Sequence, residues 1–412
     1  MGQEQIQLKF LNGVEEELKQ GQGLSIINLV SQMIENAYYM RASDIHIDPQ
    51  QDNVRVRLRI DGILYDAHFL PKSIHSEVIS RIKIMAALRT DEHQAAQDGR
   101  FRFASEGKNP IDVRVSIAPT YYGENAVLRL LADKAEEFTL ESLGFSKNDQ
   151  HKILQAIRRP YGMILSTGPT GSGKSTALYT LLKILNTKDV AIITIEDPIE
   201  YAIEGINQIQ ANPRTGLTFA NGLRSILRQD PNIIMVGEIR DVETAGIAVN
   251  TALTGHLLLS TIHTNDAATT LPRLLDMKIE PYLIASTVNV AIGQRLVRKI
   301  CPHCKIEKKP TATEQKSLAE AIPQATLAKI KAFYHGKGCE KCNQMGYTGR
   351  IGIYEVMVID NAVRDAVLKK LPASEIKRVA VHQGMTTMLD DGMEKAKTGI
   401  TTIEEVLRTM HE

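Results

Sequence analysis

The chain has 412 residues, a formal net charge of +1 and 43% hydrophobic residues, which predicts two or three domains with sizeable cores. The balanced charge gives no basic field for nucleic acid, and the absence of Trp with only 5% aromatic residues disfavours base-stacking surfaces. Because no stretch offers the ~18 uninterrupted apolar residues of a membrane helix and residues 1–10 lack a signal core, we expect a cytoplasmic protein that contacts membranes only through partners.

Changes in composition divide the chain into four segments. A polar leader or linker at residues 1–23 precedes a small α+β domain at residues 24–132, where helical and alternating strand patterns follow one another. The charged residues 133–148 are the best candidate for a linker. Residues 149–412 alternate strand and helix, which is typical of an α/β domain with a mostly parallel sheet covered on both faces.

Arginines follow the strands expected in the first domain. Arg55, Arg57 and Arg59 alternate with apolar residues, and we interpret this row as a solvated sheet face. Contact of the row with a phosphate or a neighbouring subunit is the alternative. Arg100 and Arg114 lie near later strand patterns of the same domain, where they are either surface charge or part of a site.

Residues 161–176 organise the second domain. An apolar run, expected as a buried strand, leads into a complete phosphate-binding loop (P-loop) ahead of a helix. The loop consists of Gly168, Pro169, Thr170, Gly171, Ser172, Gly173, Lys174, Ser175 and Thr176. Its glycines permit a tight turn that points N–H groups into one cavity, and the helix N-terminus favours an anion. We therefore predict nucleotide binding, with Lys174 at the β- and γ-phosphates and Ser175 as a Mg²⁺ ligand.

Acidic residues and a histidine follow the next predicted strands. Glu196 and Glu200 come after the second strand of this domain, Glu238 after the third and His263 after the fourth. Because the carboxyl ends of parallel strands share one edge of a sheet, these side chains are expected near the phosphates. Glu196 and Glu200 are candidates to position or deprotonate the attacking water, Glu238 is a candidate metal-associated acid, and His263 could bind the γ-phosphate. The alternatives are helix-start acids and a buried, hydrogen-bonded histidine.

Four cysteines form two C-x-x-C pairs, Cys301 with Cys304 and Cys339 with Cys342. Two such pairs supply the four thiolates of a tetrahedral Zn²⁺ site, and a site closed by four cysteines is structural rather than catalytic. Four unrelated cysteines are the alternative.

The C-terminal segment is predicted to be helical. Ser374 and Thr402 are expected to cap the second and third of its helices. The three helices are expected at residues 362–371, 374–382 and 402–410.

Taken together, the motifs resemble the secretion ATPase superfamily, specifically type IV pilus assembly ATPases (PilB-like) or type II secretion ATPases (GspE-like). The resemblance runs from about residue 24 to the C-terminus. Four sequence blocks support the resemblance, and they occur in the order typical of that family. They are the Walker A motif at residues 168–176, the Asp box at 194–201, the Walker B motif at 227–241 and the His box at 255–265.

The resemblance implies a P-loop RecA-like ATPase domain preceded by a PAS-like α+β domain, in a cytoplasmic homohexamer peripheral to the inner membrane. ATP-driven domain motion would act on an inner-membrane platform protein of a pilus or secretion system. By the same resemblance Glu200 is the catalytic base, Glu238 the Walker B acid and His263 the His-box residue, while Arg100 and Arg114 complete a site in cis or in trans.

Two further features follow from the resemblance. The tetracysteine insertion, at about residues 299–345, is typical of assembly and secretion members and is lacking in retraction ATPases. The long N-terminal domain with which many relatives dock on the platform has no counterpart in this sequence, so a truncated chain or a short family member is expected.

Two alternative functions require different sequence features. A nucleic-acid motor of the conjugation or DNA-uptake type should carry basic, aromatic-containing loops, which this composition lacks. A zinc-stabilised scaffold that binds nucleotide without turnover should lack Lys174, Glu200 or Glu238, and all three are present.

Overall fold

The computed structural model describes residues 13–104, 110–131, 138–308 and 332–411. These residues divide into two compact units. Unit 1 draws on Met1–Ala135 and Gly338–Met345, and unit 2 on Glu136–Lys337 and Gly346–Glu412. Parts of the predicted leader, linker and zinc insertion lie outside the described residues. These parts are residues 1–12, 132–137 and 309–331.

Unit 1 is built on a six-stranded antiparallel sheet. Its helices are α1 (Gly13–Lys19), α2 (Ile26–Tyr39) and α3 (His75–Met85). Its strands are β1 (Ala42–Pro49), β2 (Asn53–Ile60), β3 (Ile63–Pro71), β4 (Gln97–Phe103), β5 (Ile111–Thr120) and β6 (Gly123–Leu131). The strand order is β3-β2-β1-β6-β5-β4.

The elements of unit 1 follow from local sequence patterns. Ser25 caps α2 by accepting a hydrogen bond from the backbone N–H of Asn28, and apolar residues at helical spacing bury one face of that helix. The helix predicted at residues 71–88 begins later, at His75, because β3 continues through Pro71. In β2 every second residue is buried, as its alternation predicts.

The three arginines of β2 form ion pairs with aspartates of the adjacent strands. Arg55 lies 2.6 Å from Asp66, Arg57 lies 2.7 Å from Asp48, and Arg59 also has an aspartate neighbour on the adjacent strand. These partially exposed cross-strand ion pairs agree with the interpretation of the row as a solvated face.

Unit 2 combines eleven described helices with nine described strands. The helices are α4 (Leu140–Leu143), α5 (Lys147–Ile157), α6 (Lys174–Leu185), α7 (Phe219–Ile226), α8 (Val242–Leu253), α9 (Thr270–Asp276), α10 (Pro281–Thr287), α11 (Asn361–Leu368), α12 (Ala373–His382), α13 (Met388–Lys397) and α14 (Ile403–His411). The strands are β7 (Gly162–Thr167), β8 (Ile192–Glu196), β9 (Asn207–Gln210), β10 (Ile233–Val236), β11 (Leu257–Ile262), β12 (Val288–Ile300), β13 (Lys305–Lys308), β14 (Phe333–Gly336) and β15 (Tyr347–Val358).

Seven of these strands form one sheet, in the order β15-β12-β7-β11-β10-β8-β9. All neighbours in it are parallel except β12 and β15, so the predicted mostly parallel sheet is confirmed. Both faces are covered: Met163 and Leu165 of β7 belong to one apolar core, and Ile164 between them belongs to the other. This two-sided burial explains why the central strands are continuous apolar runs.

Several boundaries differ from the predictions. Helix α4 lies inside the predicted linker, and Thr139 and Ser142 cap it reciprocally. Thr402 accepts a hydrogen bond from the backbone N–H of Glu405, as predicted, whereas Ser374 is not a cap because α12 begins one residue earlier, after Pro372. Helix α13 and the antiparallel β12–β15 pair were not expected from the sequence.

Candidate active site

The P-loop connects the end of β7 to the start of α6, at the edge of the sheet where β8, β10 and β11 also end. Gly168 has φ 146°, and a Cβ there would lie 2.4 Å from the carbonyl oxygen of Gln294, so only glycine fits. Gly173, with φ 89°, precedes the helix and offers no side-chain cap to the N–H groups of its first turn. Those free donors and the helix dipole make this loop an anion site.

Lys174 is buried within the P-loop. Its Nζ donates hydrogen bonds to the carbonyl oxygens of Gly168 at 2.8 Å and Pro169 at 2.9 Å. Burial lowers the pKa of the Lys174 ammonium to about 8, and the nearby Glu238 carboxylate partly opposes this shift. The ammonium is therefore held inside the loop, and Glu238 is close enough to influence its charge.

Glu238 and His263 meet beyond the ends of β10 and β11. His263 Nε2 lies 2.8 Å from Glu238 Oε2, and the Arg240 Nε lies 2.7 Å from the same oxygen. His263 and Arg240 also line a cavity of about 390 Å³ together with Thr170 of the P-loop. The structure thus brings the predicted acid and histidine together beside the predicted phosphate loop.

Glu196 occupies a buried network and is 4% exposed. Its Oε1 accepts hydrogen bonds from Thr194 at 2.6 Å and Gln208 at 3.1 Å, and its Oε2 accepts one from the Tyr179 hydroxyl of α6. Burial and the Glu196 carboxylate raise the pKa of Tyr179 well above its usual range, which keeps the phenol protonated as a donor. The Glu196 carboxylate therefore connects α6 to β8 through the Tyr179 hydroxyl. The role of Glu196 as a base stays a prediction.

Glu200 lies on the exposed loop after β8. Its backbone N–H donates a hydrogen bond to the Tyr179 hydroxyl at 3.3 Å. The same hydroxyl donates to Glu196, so one tyrosine contacts both glutamates of the motif. Arg100 and Arg114 lie directly opposite each other on β4 and β5 of unit 1. The predicted roles of these three residues in catalysis stay predictions.

Gln294 is a supporting residue that the sequence analysis missed. It is 1% exposed on β12, its Nε2 donates to the Ser172 carbonyl oxygen at 2.8 Å, and its Oε1 accepts from the Ser166 hydroxyl at 3.2 Å. These two bonds hold the P-loop against the sheet. The available signal was a glutamine directly after the short apolar run at residues 290–293, because an amide that is buried beside such a run needs hydrogen-bond partners.

The four cysteine thiols cluster as the paired spacing predicts. Their Sγ atoms all lie within 4.8 Å of one another, Cys301 and Cys342 are buried, and no disulfide joins any of the four. The backbone N–H of Cys339 also donates to the Cys342 sulfur at 3.2 Å. This donor set suits a tetrahedral Zn²⁺ ion, since thiolate ligands and N–H···S bonds are typical of structural zinc sites.

Comparisons with known proteins identify the family of the chain. The chain is 49% identical over 378 residues to the type IV pilus assembly ATPase PilB of Thermus thermophilus, an alignment that covers 92% of this chain and 42% of that protein. It is 47% identical over 389 residues to type II secretion system protein E of Xanthomonas campestris, which covers 94% of this chain and 68% of that protein. This chain therefore spans less than half of the Thermus relative and about two thirds of the Xanthomonas relative.

A solved structure extends the comparison to the fold. The structure superposes on that of the pilus retraction motor PilT with bound ADP at a TM-score of 0.61 and 27% identity, with 92% of this chain and 96% of that chain covered. Among the described helices none has the length and apolar character needed to cross a bilayer. The sequence model of the type II/IV secretion system protein family matches residues 19–408. The predicted resemblance is therefore confirmed, and the chain belongs to the type II/IV secretion system protein family.

Proposed function

We propose that this chain hydrolyses ATP and that hydrolysis powers the assembly of a type IV pilus or type II protein secretion. One observation carries the proposal: His263, whose Nε2 lies 2.8 Å from Glu238 Oε2, lines a cavity together with Thr170 of the P-loop, at the edge where the parallel strands end. The names of the pilus-assembly and secretion relatives support the cellular role.

In the proposed reaction the P-loop backbone N–H groups and Lys174 bind the phosphates of ATP. Ser175 is exposed in the first turn of α6, so its hydroxyl is accessible for a Mg²⁺ ion, which would neutralise charge on the β- and γ-phosphate oxygens. Glu200 is the proposed base that accepts a proton from the attacking water. Glu238 is the proposed acid at the metal, and His263 holds its carboxylate in place.

The remaining features of the proposal concern assembly. We assign residues 24–132 to a PAS-like domain and residues 149–412 to the ATPase domain, joined in a homohexamer in which Arg100 and Arg114 complete an active site. The hexamer would work on the cytoplasmic side of the inner membrane by contact with a platform protein. This arrangement is proposed from the resemblance of the motifs to the secretion ATPase superfamily, whereas the names of the relatives at 49% and 47% identity support only the role in pilus assembly or type II secretion.

Measurement of ATP turnover by the purified full chain tests the proposed function. We expect Mg²⁺-dependent release of phosphate that rises when the platform protein in proteoliposomes is added and does not respond to single-stranded DNA. Stimulation by DNA alone would favour the nucleic-acid motor instead. If the chain bound ATP without turnover under all of these conditions, the motor proposal would be wrong and the scaffold alternative would stand.

We also propose that the four cysteines bind one structural Zn²⁺ ion. Metal analysis of the purified chain should give about one zinc per chain, and Cys301→Ser should lose the metal and lower the Tm, because metal binding stabilises the folded form only. Lys341→Ala is the matched control, since this exposed lysine lies between Cys339 and Cys342 and is not a ligand. Zinc-free protein with an unchanged melting curve after Cys301→Ser would rule the site out.

A further inference from the structure

We propose that the cavity beside the P-loop is a binding site for the inorganic phosphate that ATP hydrolysis releases, with Arg273 as its main ligand and Arg240 as the second. This inference rests on the proposed ATPase function. The cavity, of about 390 Å³, is lined by Thr170 of the P-loop, by His263, and by both arginines. Neither arginine was expected from the sequence to be a phosphate ligand.

The charges around this cavity favour an anion. Glu238 is the acid in contact with its lining, and its Oε2 is already shared by His263 and Arg240. Arg240 approaches Glu238 most closely through Nε, and its two terminal nitrogens donate no hydrogen bond to the residues that the structure describes. The exposed Arg273 guanidinium has no hydrogen-bond or ion-pair partner at all within the described part of the chain. The cavity therefore presents donors that the protein leaves unused.

The charge of these donors and the apolar groups beside them suit a phosphoryl anion. An arginine fork binds two oxygens of a phosphate at once, and this bond strengthens where apolar groups reduce the local dielectric constant. Ile239, Ile262 and Met277 supply such apolar walls in the same cavity. In the proposed complex the phosphates of ATP bind Lys174 and the N-terminus of α6. The cavity beside them is therefore available to a smaller anion.

The proposed reaction generates that anion next to the cavity. The oxygen of water bonds to the γ-phosphorus, the bond from this phosphorus to the β–γ bridging oxygen breaks, and ADP keeps the bonding pair. The water proton passes to the carboxylate base. The product phosphate forms between the P-loop and His263, which are both part of the cavity lining. Arg273 and Arg240 can then hold it before release.

Titration of inorganic phosphate into the ADP–Mg²⁺ complex of the full chain, followed by calorimetry or phosphorus NMR, tests the site directly. We expect saturable binding that is about tenfold weaker in Arg273→Gln, with ADP affinity changed by less than about twofold, because one charge-assisted contact is lost. Arg273→Lys should recover part of the affinity. Arg378→Gln is the control, since Arg378 is an exposed arginine of α12 that pairs with Glu375.

A non-hydrolysable ATP analogue distinguishes the two sources of a phosphoryl group. If Arg273→Gln weakened binding of the analogue but not of phosphate, the cavity would serve the γ-phosphate of ATP and the product-site proposal would be overturned. Absence of saturable phosphate binding to the wild-type ADP complex would overturn it without any variant. None of these titrations requires turnover, so an inactive wild type would count against the ATPase function alone.

Discussion

Replacement of Lys174 by Ala is expected to weaken ATP binding by at least about 100-fold, or about 2.7 kcal/mol, because the ammonium is the cation built into the P-loop. The backbone N–H groups that remain can still orient a phosphate, but they carry no net charge. Binding of a fluorescent ATP analogue to the purified chain measures the change. Lys188→Ala is the control, since Lys188 is an exposed lysine just after α6.

The same lysine predicts how ATP affinity depends on pH. Because burial lowers the pKa of Lys174 to about 8, the ammonium loses its proton as pH rises through that value in the free protein. Phosphate binds the charged form, so nucleotide binding takes up a proton near pH 8, and the affinity falls by up to about tenfold per pH unit above it. Lys174→Ala should abolish this dependence. A wild-type affinity that stayed constant from pH 7 to pH 10 would contradict the assignment.

The parts of the site that could be predicted are those encoded by neighbouring residues. The P-loop occupies consecutive positions, and Glu238 and His263 each follow a strand whose apolar run is visible in the sequence. The parallel order of β7, β10 and β11 then brings the three together, as strand-end geometry predicts. Here a local pattern and one rule about sheets were sufficient.

The contacts that could not be predicted join distant residues. Gln294 binds the backbone of Ser172 from 122 positions away, and its burial is tolerated because that carbonyl satisfies it. Strand β12, which carries Gln294, includes buried polar residues that break an apolar strand pattern. Arg273 reaches the cavity from α9, whose placement depends on the packing of the whole domain. Such positions become visible only when the fold is known.

Glu196 and Glu200, which belong to one short motif, have different surroundings in the structure. From the residues alone, Glu196 at the end of β8 and Glu200 after it were both candidates to position or deprotonate the water, and the resemblance favoured Glu200 as the base. The structure surrounds the Glu196 carboxylate with hydroxyl and amide donors, whereas Glu200 lies on an exposed loop. The Tyr179 hydroxyl contacts both residues, so it connects the P-loop helix to the loop that carries the proposed base.

Replacement of Glu238 by Gln is expected to lower ATP turnover by at least about 100-fold while ATP affinity is kept, because Gln preserves the size of the side chain and removes its charge. The amide can still contact His263, but it cannot supply the negative charge at the metal. Removal of a carboxylate near the phosphates should leave binding unchanged or tighter. Steady-state turnover and analogue binding, measured on one preparation, separate the two effects.

The pH dependence of ATP affinity in Glu238→Gln gives a second measurement, which tests the effect of Glu238 on Lys174. The Glu238 carboxylate raises the pKa of Lys174 against the effect of burial, so its loss should shift the pH at which ATP affinity begins to fall to a value below about 8. Glu243→Gln is the control: it removes an exposed carboxylate near the start of α8, paired with Arg224, and should change neither turnover nor the pH profile. Full turnover in Glu238→Gln would remove Glu238 from the active site. A lost turnover with an unshifted pH profile would show that Glu238 acts without influencing the P-loop lysine.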